Sequence, residues 1–237
     1  MQTLGFSCGF RDGIPIGLGY LSVSFTFGMM AVAQGLPVWA ATLTSMTNLT
    51  SAGQFAGLSL MVTGGGYIEM ALTQLVINLR YALMSLSLSQ KLDKTVSLLD
   101  RFLFAFFNTD EIFAVASGKP CEVGKRYLFG LAVAPFWGWS IGTLLGAVAG
   151  NILPIPVRDA LGIAIYGMFI AIIIPACKQY RPVLIVTLCA CILSCLFAFL
   201  PVLNRVSSGF TIIICALVSA GLGALLFPVQ EQERQAQ

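Results

Sequence analysis

Residues 182–200 read Pro-Val-Leu-Ile-Val-Thr-Leu-Cys-Ala-Cys-Ile-Leu-Ser-Cys-Leu-Phe-Ala-Phe-Leu, nineteen positions without one charge. About twenty apolar residues in a row are what an α-helix needs to cross the hydrocarbon core of a bilayer. Inside that core every backbone polar group has to find its partner within the chain, which a helix does by itself. Working outward, the runs 208–228, 159–177, 127–150, 67–89, 38–63 and 15–34 are also long and apolar enough to span. Breakers or charges separate them: Gly35-Leu36-Pro37, Gly64-Gly65-Gly66, Lys91 to Lys94, Pro154-Ile155-Pro156, Arg181-Pro182 and Pro201.

Composition agrees. Apolar residues make up 57% of 237 positions and charged residues 10%, against about 25% charged in soluble domains. The reading is an all-α, polytopic integral membrane helical bundle of about seven spans, forming one transmembrane domain over 1–237. Its expected place is a membrane that it crosses several times. Met1 to Gly13 shows no basic region followed by an apolar core, so a cleaved signal is not expected and the first span stays. A net charge of +3, with no basic cluster interleaved with aromatics, gives no reason to invoke nucleic acid.

The segment 98–118 is long enough to be an eighth span. It carries Asp100 and Arg101 near its start and Asp110-Glu111 at its middle, and carboxyls at bilayer depth are costly unless they face protein or water. Loop charges favour a re-entrant or interfacial segment. Lys91, Lys94, Arg101, Lys119, Lys125 and Arg126 then share one side, with Lys178, Arg181 and Arg234. The positive-inside rule puts the N-terminus outside and the C-terminus inside.

A weak internal repeat pairs Ala31-Val32-Ala33 and the Pro37 that follows with Ala147-Val148-Ala149 and Pro154. It also pairs Gly53-Gln54-Phe55 with Gly167-Met168-Phe169. Candidate copies are 13–90 and 125–205. Three spans per copy would make them inverted, a common transporter design.

The exceptions to apolarity point to function. Thr42-Leu43-Thr44-Ser45-Met46-Thr47-Asn48-Leu49-Thr50-Ser51-Ala52-Gly53-Gln54-Phe55 places hydrogen-bonding side chains throughout an apolar run. Interhelical hydrogen bonding by Ser and Thr is one explanation. A helix broken near mid-membrane is the other: the second half-helix, with Thr50 or Ser51 as N-cap, offers its N–H groups to an anion. In the third run, Asn78 and Arg80 lie too deep to be simple flanks. Arg80 needs a partner, and Asp110 and Glu111 are the obvious ones. Glu69, near the start of that run, is placed to snorkel. Candidate substrate-binding residues are therefore Asn48, Ser51, Gly53, Gln54, Phe55, Asn78 and Arg80. Asp110 and Glu111 are candidates for proton coupling or an ion pair.

No cofactor is expected. The chain has no histidine and seven cysteines without a CxxC pair, a poor set for zinc. An intramembrane enzyme lacks a nucleophile with its base, so the chain is not expected to be an enzyme. A passive channel and a non-transporting structural subunit are the alternatives to a carrier.

Several of these motifs together resemble a known family. Gly13-Ile14-Pro15 with Gly17-Leu18-Gly19-Tyr20, Phe27-Gly28, Ala52-Gly53-Gln54-Phe55, Asn78-Leu79-Arg80-Tyr81 and Thr109-Asp110-Glu111-Ile112 resemble the AzlC-type large subunit of branched-chain amino acid exporters. Tyr81 stands where members often carry histidine. The resemblance implies a two-component permease with a small AzlD-like membrane partner. It implies leucine, isoleucine, valine and methionine as substrates, exported at the expense of the proton-motive force.

Overall fold

A computed structural model describes residues 4–150, 152–154, 156, 170, 173–201 and 203–228. The described residues are helical, with one isolated bridge between Leu92 and Val123. In chain order the helices are α1 (Phe6–Ala33), α2 (Val38–Thr47), α3 (Ser51–Thr63), α4 (Tyr67–Ser89), α5 (Leu98–Ala105), α6 (Asp110–Ser117), α7 (Lys125–Ala149), α8 (Arg181–Phe199) and α9 (Ser208–Leu226). Five of them, α1, α4, α7, α8 and α9, are long and apolar enough to cross a membrane. The run 159–177 and the Gly167-Met168-Phe169 half of the repeat fall largely or wholly outside the described residues. Contacts divide the chain into two compact units, Met1–Leu58 with Asn78–Gly162, and Ser59–Ile77 with Ile163–Gln237.

The first unit is built on α1 and α7. Glycines let their backbones touch: a Cβ on Gly28 would sit 2.0 Å from the Thr143 carbonyl oxygen, and one on Gly146 would sit 1.9 Å from that of Phe25. Small residues at such spacing are how membrane helices gain contact where lipid offers no hydrophobic drive. Gly9 meets Tyr127, Gly17 meets Ala134 and Gly28 meets Thr143. Numbers rise together, so the two helices run parallel. In the copies expected from the sequence, α1 and α7 would head opposite ways. The expected inversion does not hold for this pair.

Two hairpins pack against this pair from opposite ends. The run 38–63, expected as one span, is the first. Gln54 of α3 lies beside α2: its Nε2 donates to the Thr44 carbonyl (3.2 Å) and to that of Asn48, and its Oε1 accepts from Ser45 (3.2 Å). Leu58 then packs with Ala41, Ala31 and Ala147, so the chain turns at Asn48–Thr50 and goes back the way it came. The polar residues that make the run unusual are what stop the helix there.

The second hairpin is 98–118, which does not cross. α5 travels along α7, from Asp100 near Lys125 (3.9 Å) to Phe107 beside Phe136 (ring centroids 5.7 Å). α6 returns along α1, from Glu111 beside Tyr20 to Lys119, just beyond its end, paired with Asp12 (2.8 Å). A capping box starts α5: the Ser97 side chain accepts from the Asp100 N–H, and Asp100 accepts from the Ser97 N–H.

This geometry changes the orientation. The N-terminus of α1, the loop at 91–95, and residues 118–126 all meet at one end, where Lys91 bonds the Ser117 carbonyl and Lys119 pairs with Asp12. Every described basic residue of the first unit except Arg80 lies there. The positive-inside rule assigns that end to the cytoplasm. Applied to this geometry, the rule gives an N-terminus inside, where a crossing at 38–63 would give one outside.

In the second unit α8 and α9 pack together through a short 3-10 turn at Leu203–Arg205. Glu69, expected to snorkel, is instead 8% exposed. It accepts from the Ser207 hydroxyl and from the Gly209 N–H (3.0 Å). A carboxylate there satisfies an orphan donor and opposes the positive end of α9.

Candidate functional site

The two hairpin tips, 48–50 and 106–109, meet the middle of α4. Thr50, just before α3, is the joint. Its Oγ1 accepts from the Gly53 N–H (3.4 Å) as an N-cap does, donates to Asn78 Oδ1 (3.1 Å) and accepts from the Tyr81 hydroxyl (3.3 Å). Around this joint lies a cavity of about 200 Å³, lined by Thr47, Asn48, Leu49, Thr50, Asn78, Tyr81, Ala105, Phe106 and Asn108. At about 30 Å³ per water, that is room for one small solute.

Beside the cavity stands the ion pair. Arg80 Nη2 is 2.8 Å from the Asp110 carboxylate, and its guanidinium lies 5.0 Å from the centre of the Tyr81 ring. Asp110 opens α6. Glu111, next in line, is taken by Tyr20, whose hydroxyl also lies 2.6 Å from Thr109 Oγ1. Tyr20 is steadied edge-on by the buried Trp139, ring centroids 5.3 Å apart.

The structure sorts the sequence candidates. Asn48 and Asn78 line the cavity. Arg80 and Asp110 pair one side chain away from it, and Glu111 is held by Tyr20. Ser51 begins α3 and Gly53 supplies the capped N–H. Gln54 and Phe55 do other work. Gln54 staples the first hairpin, and Phe55 packs on Phe27 (5.3 Å).

Four contributors escaped the reading of single residues: Tyr20, Tyr81, Asn108 and Thr109. A signal for two of them was present. Asn108-Thr109 interrupts an apolar segment just ahead of a helix start, as Asn48-Leu49-Thr50 does. The two tyrosines stand in the motifs that carry the resemblance, but an aromatic in a membrane helix is ordinarily packing, and neither is among the candidate site residues.

The AzlC protein family model matches residues 15–153, more than half of the chain. The chain belongs to the AzlC family. The matched stretch holds both hairpins, α4, most of α1 and all of α7. Among relatives of this AzlC-family chain is an uncharacterized membrane protein of Archaeoglobus fulgidus, 33% identical over 184 residues and covering 75% of this chain and 80% of that one. Another is the inner membrane protein YgaZ of Escherichia coli, 28% identical, covering 73% of this chain and 74% of its own. A membrane protein of Helicobacter pylori is 28% identical over 149 residues, 60% of this chain and 64% of that one. No solved structure matches. The AzlC-family chain is thus a multi-pass membrane protein.

The site's electrostatics follow from which helix ends are already occupied. α6 carries Asp110 and Glu111 in its first turn, so its positive end is neutralised from within. α3 has no acidic residue in its first turn, so no carboxylate of its own opposes its positive end. The last turn of α2 ends at the same tip and brings the partial negative end of its dipole there. A single hairpin tip therefore offers partial positive and partial negative charge a few residues apart.

Proposed function

We propose that this chain is the large subunit of a permease that exports branched-chain aliphatic amino acids. It works with a small AzlD-like membrane subunit and couples export to proton movement. The observation that carries the reading is the cavity where two opposed hairpin tips meet at Asn78 and Tyr81. A carrier needs a site that either end can expose in turn, and hairpins inserted from opposite ends give each side its own movable wall.

The chemistry of the tip suits a zwitterion. The solute carboxylate lies against the N-terminus of α3, and its ammonium against the last carbonyls of α2. The aliphatic side chain takes the apolar wall at Leu49, Ala105 and Phe106. One methylene in such a wall is worth about 1–3 kcal/mol, so leucine, isoleucine and valine are all carried, with methionine close behind. Asp110 and Glu111 serve coupling: a proton taken by either weakens its hold on Arg80 or Tyr20 and loosens the second hairpin.

The test is flux through liposomes holding the full chain, with and without the small subunit, under an imposed pH gradient. Labelled leucine, valine and methionine should move saturably and faster with the gradient than without, while an unrelated polar amino acid should not. Absence of selective aliphatic flux under both conditions sinks the reading. Non-saturable flux indifferent to pH would instead favour a passive channel.

A further inference from the structure

A second, smaller cavity of about 70 Å³ lies on the cytoplasmic side of the first, walled by Leu88, Val96 and Phe104 with Arg101 among its lining residues. The two cavities share two residues, Ala105 and Asn108. Asn108 is 4% exposed. Its Nδ2 donates to Ser85 Oγ across 3.0 Å, bridging the second hairpin tip to α4. Its Oδ1 is buried and meets no donor among the described residues. Buried polar groups in native proteins are nearly always satisfied, so an acceptor left open between two cavities needs a reason.

We propose that Asn108 is the inner gate of the solute path, dividing the site from a cytoplasmic vestibule, and that its open Oδ1 is the acceptor that selects solutes bearing a primary ammonium. The inference rests on the exporter reading and deepens it.

The two halves of the proposal have one geometry. While Nδ2 holds Ser85, the tip of the second hairpin is fastened to α4 and the cavities stay apart. A solute rising from the vestibule arrives carboxylate-guided, since among the described residues Arg101 is the cation lining it. Its ammonium then brings three donors, enough for the α2 carbonyls and for the Asn108 oxygen that meets no donor among the described residues. A 2-oxo acid with the same side chain brings none and leaves the acceptor bare. Aliphatic amines and aliphatic keto acids are thus separated here, while the apolar wall separates side chains.

The experiment uses the full chain in liposomes with the small subunit, carrying labelled leucine, with 4-methyl-2-oxopentanoate as the unlabelled competitor. A hydrogen bond to a charged donor is worth about ten- to hundredfold in discrimination. Wild type should therefore prefer leucine strongly, and Asn108→Ala should lose about tenfold or more of that preference. Asn108→Asp, which keeps an acceptor, should retain it. Ser85→Ala leaves the acceptor and removes the fastening, so it should raise leucine exchange several-fold with the preference unchanged. It also serves if Asn108→Ala fails to fold. Wild-type preference in Asn108→Ala, or wild-type exchange in Ser85→Ala, overturns the proposal while leucine flux still stands. Loss of all leucine flux in the wild type would take down the exporter reading itself.

Discussion

Arg80 is the residue on which position and chemistry most nearly coincide. It pairs with Asp110 at 2.8 Å, yet the two side chains remain 50% and 43% exposed. A pair this open contributes little to folding, about 0–1 kcal/mol. Arg80→Ala and Asp110→Asn should therefore leave the thermal midpoint in detergent nearly unchanged while flux falls about tenfold or more. Wild-type flux in both variants would return the pair to a structural role. Tyr81→Phe is a finer probe. It keeps the ring under Arg80 but removes the hydroxyl that donates to Thr50 and accepts from Arg80 Nη2 (3.3 Å). The neutral bond alone is worth about 0.5–1.5 kcal/mol, so KM for leucine should rise about twofold or more with the maximal rate held. A change confined to the maximal rate would place Tyr81 in movement of the hairpin instead.

At the scale of elements, the two hairpins depend on different fasteners. In the first, Gln54 is 1% exposed and satisfies the Thr44 and Asn48 carbonyls. Gln54→Leu preserves bulk but removes the donor to the Asn48 carbonyl, at about 1–3 kcal/mol, while the Thr44 carbonyl keeps the Asn48 N–H (2.9 Å). The variant should unfold measurably earlier in detergent, and an unchanged midpoint would contradict the staple. In the second hairpin the start of α5 is held by its capping box. The Ser97 hydroxyl, its backbone N–H and nearby Lys125 keep Asp100 below the usual carboxylate range. A lowered folded-state pKa stabilises above the unfolded value and is lost as pH falls through the lowered one. Thermal midpoints should therefore decline on acidification more in the wild type than in Asp100→Asn. How much was legible beforehand follows from the same elements. The break at Asn48–Thr50 could be read from its polar side chains, and the uncertain crossing at 98–118 from Asp110-Glu111. The return of 38–63 to its own side could not. It depends on Gln54 reaching sideways to α2, and hydropathy records length and polarity but no direction.

At the scale of the whole chain, orientation and the α1–α7 contact are open to direct test. A reporter active only outside the cell should work when inserted after Leu36, and one active only in the cytoplasm should work after Cys121. The opposite pattern would restore the outside N-terminus. Gly146→Val should push α7 off the Phe25 carbonyl and lower membrane yield, whereas the same change at Gly19, which has nothing within 4 Å, should be silent. The parallel clasp of α1 with α7 also sets a schedule for biogenesis. Gly28 waits for Thr143, about 115 residues downstream, and at roughly 5–20 residues per second of synthesis that is about 6–23 s on the ribosome. Through that interval α1 sits in lipid with its glycine groove unfilled. The polar tip at 48–50 has neither Asn78 nor Tyr81 to receive it until α4 emerges. The first hairpin is therefore a late arrival in its own fold, held at the outer surface and drawn inward after its neighbours are made. A chain stalled before α4 should leave 38–63 open to protease from outside, and a chain released after α7 should not.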